Sequence, residues 1–128
     1  MGSTKAASVQ IGRALILCVD DSDTGLRLLN DVLVKNGYTV LLASTAEEAM
    51  EMFREAPVSL VIADHMLRGI SGTQLAAQFK AIKPTVPIVL HSGTNPDTFR
   101  NVDAFIHKGE SVGSFLAIVR DLVKRFSS

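Results

Sequence analysis

The stretch Ser59-Leu-Val-Ile-Ala-Asp-His-Met-Leu-Arg-Gly-Ile-Ser-Gly72 decides how the rest of the chain is read. Leu60 to Ala63 is an apolar run with the length of a buried strand. Asp64 follows at once, and the chain then enters a loop holding Gly69 and Gly72, with Ile70 and Ser71 between them. A carboxylate at the carboxyl end of a buried strand, ahead of a pliant loop, stands where open α/β sheets place their chemistry. Alone, Asp64 reads more readily as the cap of a turn. Other strand ends tip the balance.

Upstream, Ala14 to Val19 is a second apolar run, too short for a helix, and it stops abruptly at Asp20, Asp21, Ser22 and Asp23. Ser22 or Asp23 can cap the helix that follows, in which Leu26, Leu29 and Leu33 share a face and which Gly37 closes. Thr39 to Ala43 reads as a strand. Ser44-Thr45 then caps a helix with Glu47 and Glu48 in its first turn and Ala46, Ala49, Met50 and Phe53 on one face. Downstream of Gly72, a third helix turns Leu75, Phe79 and Ile82 inward and stops before Pro84. Pro87 to Ser92 is a fourth strand and Val102 to Ile106 a fifth, ending at His107-Lys108-Gly109. A last helix from about Ser111 buries Phe115, Ile118, Val119, Leu122 and Phe126. Strands alternating with helices predict a doubly wound parallel sheet of five strands, flavodoxin-like, in the order 2-1-3-4-5.

The 128 residues suit one domain with a real core. Thirteen basic residues against thirteen acidic ones leave no net charge, so nothing in the overall balance favours nucleic acid or an anionic membrane. No apolar run is long enough to span a bilayer, and Met1 to Gly12 lacks the apolar core of a signal peptide. Residues 1–12 read as a flexible tail and 13–128 as the domain. The one cysteine, Cys18, excludes an internal disulfide and fits a reduced, cytoplasmic setting.

The strand ends carry Asp20 and Asp21, Asp64, Ser92 and Lys108, which a parallel sheet gathers along one edge. Several carboxylates that close repel one another unless a cation sits among them, and oxygen ligands in that number suit Mg²⁺. An ammonium and a hydroxyl beside them can hold the oxygens of a tetrahedral anion. Together they point to phosphoryl transfer onto Asp64.

Val19-Asp20-Asp21-Ser22, Val61-Ile62-Ala63-Asp64 with Gly69 and Gly72, Leu90-His91-Ser92-Gly93 and Asp103-Ala104-Phe105-Ile106-His107-Lys108 resemble the response-regulator receiver domain, the CheY-like fold of two-component signalling. The resemblance implies that Asp64 accepts a phosphoryl group from a histidine kinase or phosphotransfer protein. It implies that Asp20, Asp21, Asp64 and the backbone carbonyl of Met66 hold Mg²⁺. Ser92 and Lys108 would bind the phosphoryl group, and the rotamer of Phe105 would follow activation. The expected protein is a switch rather than an enzyme, a stand-alone receiver without an output domain that presents a changed surface to a downstream partner. The alternative is a degenerate receiver that binds a protein without phosphorylation.

Some positions depart from the resemblance. Arg68 and Gly109 stand where proline is common, which predicts a looser Lys108 loop. The interval from Ser92 to Lys108 is 108 − 92 = 16 residues, leaving room for a shortened fourth helix of roughly two turns between Asn95 and Asn101. That predicts an unusual output surface. Met66 and Thr94, beside the phosphoryl position, are ill suited to orient water and predict a long-lived phosphoryl-aspartate. His65, His91 and His107 each adjoin a site position. A tri-histidine metal site is conceivable there, against the stronger expectation that they pack beneath helices.

Overall fold

The computed structural model describes residues 14–126, so the tail expected at 1–12 and the outermost residues of the domain lie outside the described residues. Strands β1 (Leu15–Val19), β2 (Thr39–Ala43), β3 (Leu60–Ala63), β4 (Ile88–Ser92) and β5 (Ala104–His107) form one wholly parallel sheet. Their order is β2-β1-β3-β4-β5, as the alternation predicts. Among the described residues four helices accompany them: α1 (Asp23–Lys35), α2 (Ala46–Glu55), α3 (Gly72–Ile82) and α4 (Val112–Phe126).

Helix starts are set by hydroxyl caps. Ser22 accepts from the Gly25 N–H, Thr45 from Glu48, and Ser71 from Gln74, whose side chain returns the bond in a capping box. After α1, Gly37 takes φ +91, a left-handed conformation that glycine adopts without a Cβ clash.

The sheet is covered on both faces, so its central strands read as unbroken apolar runs. On one face Ile16, Cys18, Ile62, Val89 and Ile106 meet Leu29 and Leu33 of α1 and Phe115, Val119 and Leu122 of α4. On the other, Leu17, Val19, Val61 and Ile88 meet Ala49 and Phe53 of α2 and Leu75 and Phe79 of α3. Ile82 and Phe126, expected inside, are exposed, each in the last turn of its helix. No helix of the described residues is long and apolar enough to cross a membrane.

The shortened fourth helix expected between Asn95 and Asn101 is not formed; bends and turns join β4 to β5. The connecting segment, residues 93–103, has 11 residues, and its C-terminal end is committed elsewhere. Asp103 is bonded to Ile88 through its N–H (2.8 Å) and its carboxylate (2.7 Å). Asn101 adopts φ +67, outside any right-handed helix. What remains is too short to repay the unsatisfied groups at two helix ends.

Candidate functional site

Backbone ladder bonds continue one residue past β1 and β3. The Asp20 N–H donates to the Ala43 carbonyl (3.1 Å) and the Asp64 N–H to that of Val19 (2.9 Å). These bonds fix both carboxylates on the same rim, where Asp20 is 2% and Asp64 9% exposed. Asp21 joins them from the surface, and ligand oxygens of the three lie within 4.8 Å of one another. Among the described residues no other group of His, Cys, Asp or Glu is so placed.

Lys108, the residue after β5, binds this cluster. Its Nζ is 3.1 Å from Asp20 Oδ2 and 3.3 Å from Asp64 Oδ2. Burial works against the ammonium, but the hydrogen bond and charge of Asp20, followed by Asp64, hold its pKa above the ordinary lysine value. The remaining oxygens are also occupied. Asp20 Oδ1 accepts from the Ser22 N–H (3.0 Å), and Asp64 Oδ1 accepts a longer bond from Met66 (3.4 Å). The Lys108 loop, expected to be loose with Gly109 in place of proline, is closed by bonds. Lys108 N–H donates to the Ser92 carbonyl (2.9 Å), Gly109 N–H to His107 Nδ1 (2.9 Å) and Glu110 N–H to the His107 carbonyl (2.9 Å).

Ser92 is buried at the end of β4, but its hydroxyl is engaged by Thr94 and not by Asp64 or Lys108: it accepts from the Thr94 N–H (3.2 Å) and lies 3.4 Å from Thr94 Oγ1. Phe105 is half-buried on β5 and meets the exposed ring of Phe99 edge to face at 5.8 Å.

The three histidines form no metal-ligating group among the described residues, although His91 and His107 line the same groove. The β4–β5 register sets His91 opposite Ile106 and Ser92 opposite His107, so His91 and His107 belong to alternate rows. His91 packs on Phe115 (5.4 Å between ring centres) in an apolar groove of about 280 Å³ shared with Asp20, Leu29, Ile106 and Lys108. Burial, and then the charge of Lys108, lower its pKa below 6.5. Cys18, buried beneath the site, has its thiol pushed up to about 12 by burial and by Asp20.

Two features were missed by sequence reasoning. A Cβ on Gly25 would come within 2.7 Å of Asp20 Oδ2, and one on Gly72 within 2.5 Å of the Asp64 carbonyl and of Leu90. Gly25 lets the start of α1 press against the Asp20 carboxylate, and Gly72 lets the start of α3 press against the backbone of Asp64. A glycine inside the first turn of a helix is a weak sign of such close approach. Arg68 also reaches Asp21, with Nε 3.9 Å from Oδ2; nothing in its sequence neighbourhood signals that contact.

The family model described as the response regulator receiver domain matches residues 16–111. Among characterised relatives, the transcriptional regulatory protein GlrR of Escherichia coli is 32% identical over 101 residues, 74% of this chain and 23% of that protein. SrrA of Staphylococcus aureus is 30% identical over 119 residues, 88% of this chain and 49% of its own length. The chain therefore spans less than half of these relatives. Among solved structures, a CheY-like receiver domain protein from Methanospirillum hungatei shares the fold, with TM-score 0.81 and 23% identity over 88% of this chain and 94% of that one. TrrA of Thermotoga maritima, solved in complex with Mg²⁺–BeF, gives TM-score 0.78 and 28% identity over 85% of this chain and 98% of its own.

Proposed function

Since the chain belongs to the response regulator receiver domain family of two-component signalling, we propose that Asp64 is its phosphoacceptor and that a histidine kinase or histidine phosphotransfer protein is the donor. The observation that carries this reading is Lys108, whose Nζ bridges Asp20 and Asp64 with a third carboxylate alongside. A structural ion pair would need one acid; the extra carboxylates make sense if a cation and an anion visit. Three carboxylates so close, two of them buried, fit a hard divalent cation with oxygen ligands. Asp20, Asp21, Asp64 and the backbone carbonyl of Met66 would hold Mg²⁺, which when bound offsets the charge on the phosphoryl oxygens.

In the proposed transfer, an Asp64 carboxylate oxygen forms a bond to phosphorus as the bond from phosphorus to the donor's imidazole nitrogen breaks. The electron pair leaves with the imidazole, which takes a proton from water. Lys108 already sits on Asp64 Oδ2 and can turn an N–H to a phosphoryl oxygen. The Ser92 hydroxyl offers a second donor once it leaves Thr94. That exchange would pull on the segment leading to Phe99 and Phe105 and change the surface shown to a downstream partner. Neither Met66 nor Thr94 carries a carboxylate or amide to orient an attacking water, which favours a long-lived adduct.

We take the domain to extend beyond the matched residues towards 128, since Phe115, Val119 and Leu122 of α4 fill the core. A cytoplasmic setting belongs to the same reading. The relatives are longer than this chain, and the proposal concerns the receiver alone. The degenerate-receiver reading is favoured by one observation, the absence of a helix between β4 and β5.

Incubation with Mg²⁺ and acetyl phosphate, followed by intact-mass measurement, separates the two. An Mg²⁺-dependent adduct on the wild type, lost in Asp64→Asn, is expected. No adduct on the wild type would leave only the protein-binding reading.

A further inference from the structure

Arg68 occupies an unusual place at the rim. Its side chain is 93% exposed, yet its Nε lies 3.9 Å from Asp21 Oδ2. It lines two polar depressions at once. One, of about 280 Å³, also holds Asp21, Asp23 and Glu47; the other, of about 410 Å³, lies between α2 and α3 with Arg54, Ile70 and Gln78. Lys108 serves Asp20 and Asp64, whereas the basic partner of Asp21 is Arg68. Each acid of the cluster thus has a resident cation, one held between two buried acids and the other held by a single long contact in open solvent.

These two cations will respond differently to a divalent ion. Lys108 is tied to two acids that are almost wholly buried. Arg68 loses little by leaving, because an exposed ion pair at this distance is weak and water at once replaces the contact. Its neighbour Gly69, at φ +80, turns the backbone beside it.

We infer that Arg68 is a displaceable counter-ion of the metal site, holding Asp21 in the metal-free protein and lowering its affinity for Mg²⁺. The inference rests on the proposed metal site. It makes Arg68 a positioning residue that sets how much Mg²⁺ is needed before transfer can begin. A unit charge several ångströms from a doubly charged ion in water, attenuated by salt, corresponds to about a threefold change in affinity.

The test is Mn²⁺ binding followed by the paramagnetic resonance of the free ion, with Mg²⁺ as competitor, on the full chain and three variants. Arg68→Ala should bind about threefold more tightly at low salt, Arg68→Glu more tightly again, and Arg68→Lys like the wild type. At about 0.5 M KCl the differences should largely vanish. Unchanged or weaker binding in Arg68→Ala, beside a wild type that does bind, would overturn the counter-ion role while leaving the metal site intact. A wild type that binds no Mn²⁺, or binds it equally well as Asp20→Asn, would sink the metal site and this inference with it.

Discussion

From β3 to β4 the chain passes through a capped helix, while from β4 to β5 it crosses with no helix at all. In the first connection Ser71 and Gln74 close a capping box, Gly72 lets the helix press on the Asp64 loop, and Leu75, Ala76 and Phe79 are buried against the sheet. In the second, no residue from Gly93 to Asn101 except Pro96 is buried, and the ring of Phe99 lies 54% exposed over Phe105. What holds it is polar: the Asp103 carboxylate accepts from Ile88 N–H (2.7 Å) and pairs with Lys80 (2.8 Å). One connection positions Asp64 by burial; the other carries Ser92 towards Lys108 on a few hydrogen bonds. A phosphoacceptor needs the first kind of support, and a segment that moves in response can use the second.

The largest expected contrast is between two phenylalanines. Phe79 is fully buried, 4.4 Å from the ring of Phe53, and Phe79→Ala should cost about 3–5 kcal/mol in denaturant unfolding. Phe99→Ala should cost no more than about 0.5 kcal/mol. Similar losses for both would erase the distinction between the two connections.

Next comes Asp103. Removing its carboxylate leaves the Ile88 N–H and the Lys80 ammonium, which is only 17% exposed, without that acceptor. Asp103→Ala should therefore cost about 1–3 kcal/mol, the penalty for orphaning a buried polar group. Hydrogen exchange should accelerate across 93–103 and leave 72–82 protected. Uniform acceleration over both would mean that Asp103 supports the whole fold rather than one crossover.

Most of this was legible in advance where hydrophobic burial writes the pattern. The five strands, four of the helices and the gathering of Asp20, Asp21, Asp64 and Lys108 follow from apolar runs that end in charged residues. The β4–β5 segment was misread because Asn95-Pro96-Asp97 looks like a helix start. That local signal cannot register that Asp103 is already bound to Ile88, a pairing decided by tertiary contact. The histidine rows were equally hidden, since strand alternation gives each residue's side but not the register between strands. Arg68 reaches Asp21 across 47 positions, and no periodicity encodes such a contact.

A smaller effect separates the faces of β4. His91, half-buried between Phe115 and the Lys108 loop, has a pKa below its ordinary 6.5, chiefly from burial. The native state therefore binds fewer protons than the unfolded chain just under that pH. Its stabilising contribution is complete above 6.5 and is lost as the pH falls towards and through the depressed native value. Unfolding measured across this window should show wild-type stability declining on acidification, and His91→Gln should flatten that decline. Equal slopes in both proteins would show that the titrating group lies elsewhere.

The smallest effect addresses whether the β4–β5 segment is a helix held open or a loop in its own right. Asn101 is exposed at φ +67, a conformation that costs most side chains about 1–2 kcal/mol and that asparagine and glycine tolerate better. If the segment is a settled loop, Asn101→Ala should destabilise by about 1 kcal/mol, while Asn101→Gly should change stability by no more than about 0.5 kcal/mol. If a helix is merely being suppressed there, the preferences reverse. Alanine, the best helix former, would then stabilise the protein and add helical signal to its circular dichroism. The bonds that bind Asp103 to Ile88 favour the first outcome, because they hold the chain at the sheet edge where a helix would need to leave it.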